Sequence, residues 1–232
     1  NLMYAYALEC GARLNEKAAR HGMAEEYRAR RKKIVDLVEA SCWDEKRGMY
    51  REGPEYVQYS QHAQAWAVLN GMGDEEKQRR ALKNALREED VIRCSFSTAY
   101  EWFRALEKAG VYEETEENIM RWAALPGQGC TACPEEPVNN RSDCHAWSAL
   151  PLYEFIRAFS GVRPTDESWN YVRIEPHLEY LPDLEGEAVT PRGMVSFSYQ
   201  KADGALSGKV ILPEGMNGTF VYPDGREVAL HG

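Results

Sequence analysis

The period of the apolar pattern changes once along this chain, near residue 161, and that change limits the available folds more than any other feature. Up to Gly161 apolar residues recur at helical spacing. Beyond it they come in short β-branched or aromatic runs cut by turn residues. A pattern of period 3.6 buries no single face of a strand, and one of period 2 buries none of a helix. The expected fold is therefore mainly α with a C-terminal β domain: residues 1–161 helical, residues 162–232 a small antiparallel β-sandwich.

The helical part reads as seven helices. Met3, Ala7, Cys10 and Leu14 recur at helical spacing in the first, and Tyr27, Ile34, Leu37 and Val38 form one stripe in the second. "QYSQHAQAWAVLNGMG" is a third, ended by a glycine suited to a left-handed cap. "DEEKQRRALKNALREED" is a fourth, with an Asp cap and an acidic first turn. "CSFSTAYEWFRALEKAG" and "EETEENIMRWAAL" follow, and "CHAWSALPLYEFIRAFSG" is the last, with Pro151 kinking it or marking a late start.

Charge-rich segments (24–41, 74–89, 112–124) follow more apolar ones (1–20, 58–72, 95–109). Such alternation suits a two-layer ring of helical hairpins, inner helices buried on most sides and outer ones on a single stripe. Seven helices do not close a ring, so part of a toroid is expected. Trp43, Trp66, Trp102 and Trp122 are assigned to its core or to packing between helices. In the sandwich, "YVRIEP", "MVSFSYQ", "LSGKVILP" and "GTFVYPDG" are the expected strands, and "PDLEG", "TPRG", "KADG" and "PEGMNG" the turns.

A net charge of −9 without a basic stripe argues against nucleic acid as a partner. No apolar run approaches the roughly 18 residues of a membrane span. The chain opens inside an amphipathic pattern without an initiator Met, and reads as a piece of a longer protein; its localisation stays open. Inner helices cut from their neighbours would expose apolar surface, through which two such pieces could dimerise.

Between the last two helical patterns lies "GQGCTACPEEPVNNRSDCHAWSALP", residues 127–151. A compact domain rarely keeps so long a loop without a use for it. Cys130, Cys133, Cys144 and His145 offer four zinc donors, but Cys144 and His145 are adjacent, whereas paired zinc ligands stand further apart. A plain pair of thiols at Cys130 and Cys133 is expected ahead of a disulfide between them, and no metal or cofactor is called for. The carboxylates of Glu135 and Glu136, beside Arg141, Asp143 and His145, suit a general base if one of them is held near a water. A solvated acidic loop is the other reading.

"YSQHAQAWAVLNG", "SFSTAYEWFRALEKAG", "RSDCHAWSALPLYEF" and "SWNYVRIEPHLEYLPDLEGEAVTPRGMVSFSYQKADG" together resemble the C-terminal part of bacterial α-L-rhamnosidases of glycoside hydrolase family 78. The resemblance spans essentially the whole chain; "RSDCHAWSA" and the tail are its specific parts. It implies an (α/α)6 toroid followed by a β-sandwich, and an inverting hydrolysis of rhamnose-containing glycosides that uses two acidic residues.

The family's general base ends a loop motif of the type Thr-Thr-Phe-Trp-Glu. Its counterpart here is Thr131-Ala132-Cys133-Pro134-Glu135, which makes Glu135 the base, with Glu136 as its competitor. Cys133 and Pro134 depart from the two aromatics. The family His after this loop maps onto His145, at the sugar subsite or the catalytic water.

Lesser substrate-binding candidates are Arg141 and Asp143, as an ion pair shaping the loop, Trp147 as a stacking surface, and Tyr59 and His62 on the open face of the toroid. For each of these a packing or capping role is the alternative. The motif carrying the general acid has no match in residues 1–126 and is expected upstream of Asn1, so residues 1–232 alone are expected to be nearly inactive. The competing classes are a non-catalytic carbohydrate- or protein-binding module and a zinc-stabilised module.

Overall fold

The computed structural model describes residues 1–136 and 141–232. It divides into two compact units, residues 1–118 with 124–148, and residues 119–123 with 149–232.

The first unit is made of helical hairpins. Helix α1 (Leu2–Lys17) packs along α2 (His21–Cys42), and α3 (Gln61–Leu69) along α4 (Glu75–Arg87). α3 also lies against α1 and α5 (Ala99–Lys108), so α1, α3 and α5 form an inner layer and α2 and α4 an outer one. This is the arrangement of a partial (α/α)6 toroid; α6 (Glu116–Ala123) follows in sequence.

The helix ends carry the expected chemistry. Ser60 Oγ accepts from the Ala63 N–H at 3.0 Å, and the Asp74 carboxylate from the Lys77 N–H at 2.8 Å. Each satisfies an N–H that has no partner within the helix. α3 and α5 are buried around most of their circumference, whereas α4 hides only the stripe Ala81, Leu82 and Ala85.

α1 differs from expectation. Its buried face is Ala5, Leu8 and Ala12; Met3, Cys10 and Leu14, on the opposite side, are exposed. Small side chains let the neighbouring helices approach closely, so packing selected the alanine face over the bulkier stripe. A short hairpin, β1 (Trp43–Asp44) with β2 (Met49–Tyr50), was also not anticipated. Gln64 of α3 clamps it, accepting from the Tyr50 N–H at 2.7 Å and donating to the Tyr50 carbonyl at 2.8 Å.

In the second unit α7 (Leu150–Glu154) begins with Pro151 in its first turn, the late start rather than the kink, and widens into a π-type turn over Phe155–Phe159. Gly161 follows at φ +74°; a Cβ there would lie 2.2 Å from the Glu175 carbonyl carbon, so the bend requires glycine.

Seven strands come next: β3 (Val162–Pro164), β4 (Tyr171–Ile174), β5 (Asp183–Thr190), β6 (Gly193–Ala202), β7 (Ala205–Ile211), β8 (Asn217–Val221) and β9 (Glu227–His231). They form a four-stranded sheet, β3-β4-β8-β9, and a three-stranded sheet, β5-β6-β7. The core includes Val172, Ile174, Val195, Tyr199 and Met216.

Two points depart from an all-antiparallel reading. β4 and β8 pair in parallel, Tyr171 opposite Asn217 through Ile174 opposite Phe220. The β5–β6–β7 meander lies between them in sequence as a separate sheet, and a connection of that length can return the chain in the same direction. Further, "PDLEG" is not a turn: Asp183–Gly186 opens β5. Gly186 weakens the local signal, but Phe197 stands opposite and covers it, 3.0 Å from where a Cβ would be.

Candidate active site

The loop after α6 turns on a short 3-10 helix, Pro126–Gln128, closed by Gly129 at φ +80°. It then runs back beside itself. The Glu135 N–H donates to the Ser142 carbonyl at 2.9 Å, and the His145 N–H to the Cys133 carbonyl at 2.8 Å. These two bonds bring residues 133–135 alongside 142–145. The Glu135 carbonyl in turn accepts from the Ser97 N–H at 3.3 Å, so both backbone groups of Glu135 are held.

The adjacent carboxylates now separate. Glu135 is 9% exposed and Glu136 lies at the surface. Burial of a lone carboxylate is costly, and Arg141 supplies the counter-charge. Its Nε donates to Glu135 Oε2 at 3.2 Å and its Nη2 to Oε1. Arg141 itself is 79% exposed at the side chain, so an arginine at the surface closes over a carboxylate beneath it. The hydrogen bond and charge of Arg141, helped by the charge of His145, hold the Glu135 carboxyl below its usual range against the opposing effect of burial. Glu135 is therefore ionised at neutral pH. The sequence reading pairs Arg141 with Asp143; the structure shows the Arg141 fork donating to Glu135.

His145 sits at the end of the same loop, its ring edge-on to Trp147 with centroids 5.8 Å apart. Trp147 is 75% exposed and available for stacking. The cysteines are free thiols, and burial, followed by the nearby Cys144, pushes the Cys133 thiol up. Among the described residues no group of three or more His, Cys, Asp or Glu side chains could hold a metal ion.

The start of α3 connects to this loop through a turn whose role the sequence did not disclose. His62 Nε2 lies 3.0 Å from Thr98 Oγ1, and Thr98 closes a capping box with Ser95 over the turn Phe96–Thr98. Ser97 of that turn holds the Glu135 carbonyl. Ser and Thr before a helix serve as caps; the second use of those in "CSFST", in joining His62 to the loop, depends on tertiary contacts. Burial lowers the His62 pKa, opposed by the charges of Glu52 and Glu101, which face it.

Tyr59 makes contacts of a different kind. It is buried, donates to Asp44 Oδ2 at 2.7 Å, and carries the Arg47 guanidinium 4.5 Å above its ring. The hydroxyl hydrogen bond to Asp44 lowers that carboxyl's pKa. Tyr59 thus braces the β1–β2 hairpin.

Residues 161–232 match the family described as bacterial α-L-rhamnosidase C-terminal domain. The whole fold is similar to the family 78 rhamnosidase of Bacillus sp. GL1, with a TM-score of 0.80 and 25% identity over 95% of this chain and 26% of that one. The chain matches the C-terminal part of a family 78 α-L-rhamnosidase.

Two other rhamnosidases share the fold. The enzyme of Dictyoglumus thermophilum has a TM-score of 0.77 and 17% identity over 94% of this chain and 26% of its own. The Streptomyces avermitilis α-L-rhamnosidase, solved with L-rhamnose, has a TM-score of 0.75 and 14% identity over 94% and 22%. The chain thus spans about a quarter of the length of these rhamnosidases. Comparison with curated proteins gave no match.

Proposed function

We propose that this chain is the base-bearing part of an inverting glycoside hydrolase that releases terminal α-L-rhamnose, with Glu135 as general base and a sandwich domain beginning at residue 162. One observation carries the choice of residue. Of the two adjacent carboxylates, Glu135 is the one that is buried, fixed through its backbone and kept ionised by Arg141, while Glu136 lies at the surface.

In an inverting reaction a carboxylate takes a proton from the attacking water while a carboxylic acid on the other face protonates the leaving oxygen, the pair standing roughly 6.5–9.5 Å apart. Arg141 does not block this use of Glu135. Each carboxylate oxygen has two acceptor sites, and the 3.2 Å bond from Arg141 Nε to Oε2 leaves one on that oxygen for water. His145 and Trp147, at the end of the same loop, are assigned to the sugar, and His62 to the rim of the pocket. The second carboxyl is assigned to a part of the protein outside these residues. Residues 1–232 alone then turn over poorly, and exposed Met3, Leu14 and Leu37 favour their self-association.

The test is proton NMR of the full-length protein acting on an aryl α-L-rhamnoside. The expected first product is β-L-rhamnose. Initial release of the α-anomer, or rapid turnover by residues 1–232 alone, would overturn the proposal.

A further inference from the structure

A second polar site lies at the other end of α3 from His62. There a cavity of about 320 Å³ is lined in part by Tyr6, Glu9 and Arg13 of α1, Arg31 of α2, Asn70 just after α3, and Lys108 at the end of α5. That volume is about ten times the share of one water, and within the range of small-molecule sites. Three cations (Arg13, Arg31 and Lys108) face it with one carboxylate, Glu9.

Part of this charge is accounted for by the helix. The last turn of α3 presents carbonyls that need donors. Lys108 Nζ donates to the Val68 and Leu69 carbonyls at 2.8 and 3.0 Å, and Arg31 Nη2 to the Asn70 carbonyl at 2.5 Å. Capping therefore uses Lys108 and Arg31 and leaves Arg13 out.

Glu9 does not balance the remainder. Its carboxylate takes Arg13 Nε at 3.2 Å and stands 3.8 Å from Arg31 Nε, beyond hydrogen-bond reach. Arg31 Nε is buried and has no acceptor, a costly state for a charged donor. Three cations against one carboxylate leave a formal surplus of two positive charges, on a protein whose net charge is −9. Burial first, and then the charges of Arg31 and Arg13, pull the Lys108 pKa down.

We infer that this cavity binds an oxyanion, a phosphate or carboxylate group carried by a small molecule. Two guanidinium groups suit such a group because their N–H donors are arranged in forks that match paired oxygens. The ammonium of Lys108 adds charge from the floor. The site is independent of the proposed hydrolytic role, since it shares no residue with the Glu135 loop and lies at the opposite end of α3.

Isothermal titration calorimetry of the chain with sodium phosphate and with sodium acetate, each against sodium chloride at equal ionic strength, tests this. Saturable binding of either anion beyond chloride is expected; preference for phosphate identifies a tetrahedral oxyanion, and preference for acetate a carboxylate. Arg13→Gln, at a side chain largely exposed and so safe for folding, should weaken binding about tenfold, the size of one charge-assisted hydrogen bond. Glu9→Gln, which removes the competing carboxylate, should tighten it. No heat beyond chloride for either anion, or affinity unchanged in Arg13→Gln, overturns the assignment.

Discussion

The two units of this chain treat buried polar groups differently. In the sheet unit the hidden polar side chains, among the described residues, are Glu154, Ser160 and Thr190. Ser160 and Thr190 serve their own turns, donating to the Ile156 and Gly193 carbonyls. The helical unit hides a larger set, among them Ser60, Gln61 and Gln64 at the start of α3, and Glu135 in the neighbouring loop. A buried polar group left without partners costs about 1–3 kcal/mol. Gln61 and Gln64 avoid that cost by holding the backbone of Cys94 and Tyr50. Glu135 differs from these two glutamines: its carboxylate is ionised, and its partner Arg141 lies at the surface. Gln61, Gln64, Ser160 and Thr190 hold backbone groups, which is architecture; the Glu135 carboxylate holds a surface arginine, and we propose that it is buried for chemistry.

The largest expected effect tests that distinction directly. In the full-length protein, Glu135→Gln should lower kcat by about 10²–10⁴-fold, the usual contribution of a general base. Thr190→Val, the sheet unit's counterpart among buried polar groups, should leave kcat unchanged and cost about 1 kcal/mol of stability. Comparable losses of kcat in both variants would erase the contrast between the units. Next in size is a pair of tryptophans within the helical unit, Trp102 at 0% exposure and Trp147 at 75%. Trp102→Ala should cost about 3–5 kcal/mol in thermal unfolding. Trp147→Ala should stay within about 0.5 kcal/mol and show itself instead as a raised KM, as expected of a stacking surface. A KM that does not move would return Trp147 to the ordinary surface.

How much of this was legible in the sequence follows the same division. The helices, the cap at Asp74, the inner and outer layers and the change from helix to strand near residue 161 are local or periodic signals, with counterparts in the structure. The buried side of α1 was misread because Ala5, Leu8 and Ala12 look weaker than Met3, Cys10 and Leu14; the choice between the two faces belongs to the neighbours. β5 was hidden by Gly186, whose cover, Phe197, comes from another strand. The parallel pairing of β4 with β8 has no local signature at all. At the site, resemblance to a family named Glu135, yet only the fold separates it from Glu136. Residue types gave no sign of a bond between Arg141 and Glu135, which depends on the loop folding back beside itself.

That last contact supplies the smallest and most specific prediction. Arg141 holds the Glu135 carboxyl below its usual range, so the pair's stabilising effect is present above the ordinary carboxylate pKa and is lost as pH falls through the lowered value. The same sign governs catalysis, because a general base works only in its ionised form. With Arg141 in place, the acidic limb of the kcat/KM profile should lie on the low side of the ordinary carboxylate range. In Arg141→Met the hydrogen bond and its charge are gone and burial is left largely unopposed, so that limb should move to higher pH. Stability at neutral pH should fall, because the pair's stabilising effect is present there and Glu135 is left buried without its counter-charge; the solvent exposure of Arg141 keeps the loss modest. An acidic limb that stays where it was, with the fold intact, would mean that Arg141 shapes the loop without setting the ionisation of Glu135, and the contrast between hidden architecture and hidden chemistry would lose its electrostatic half.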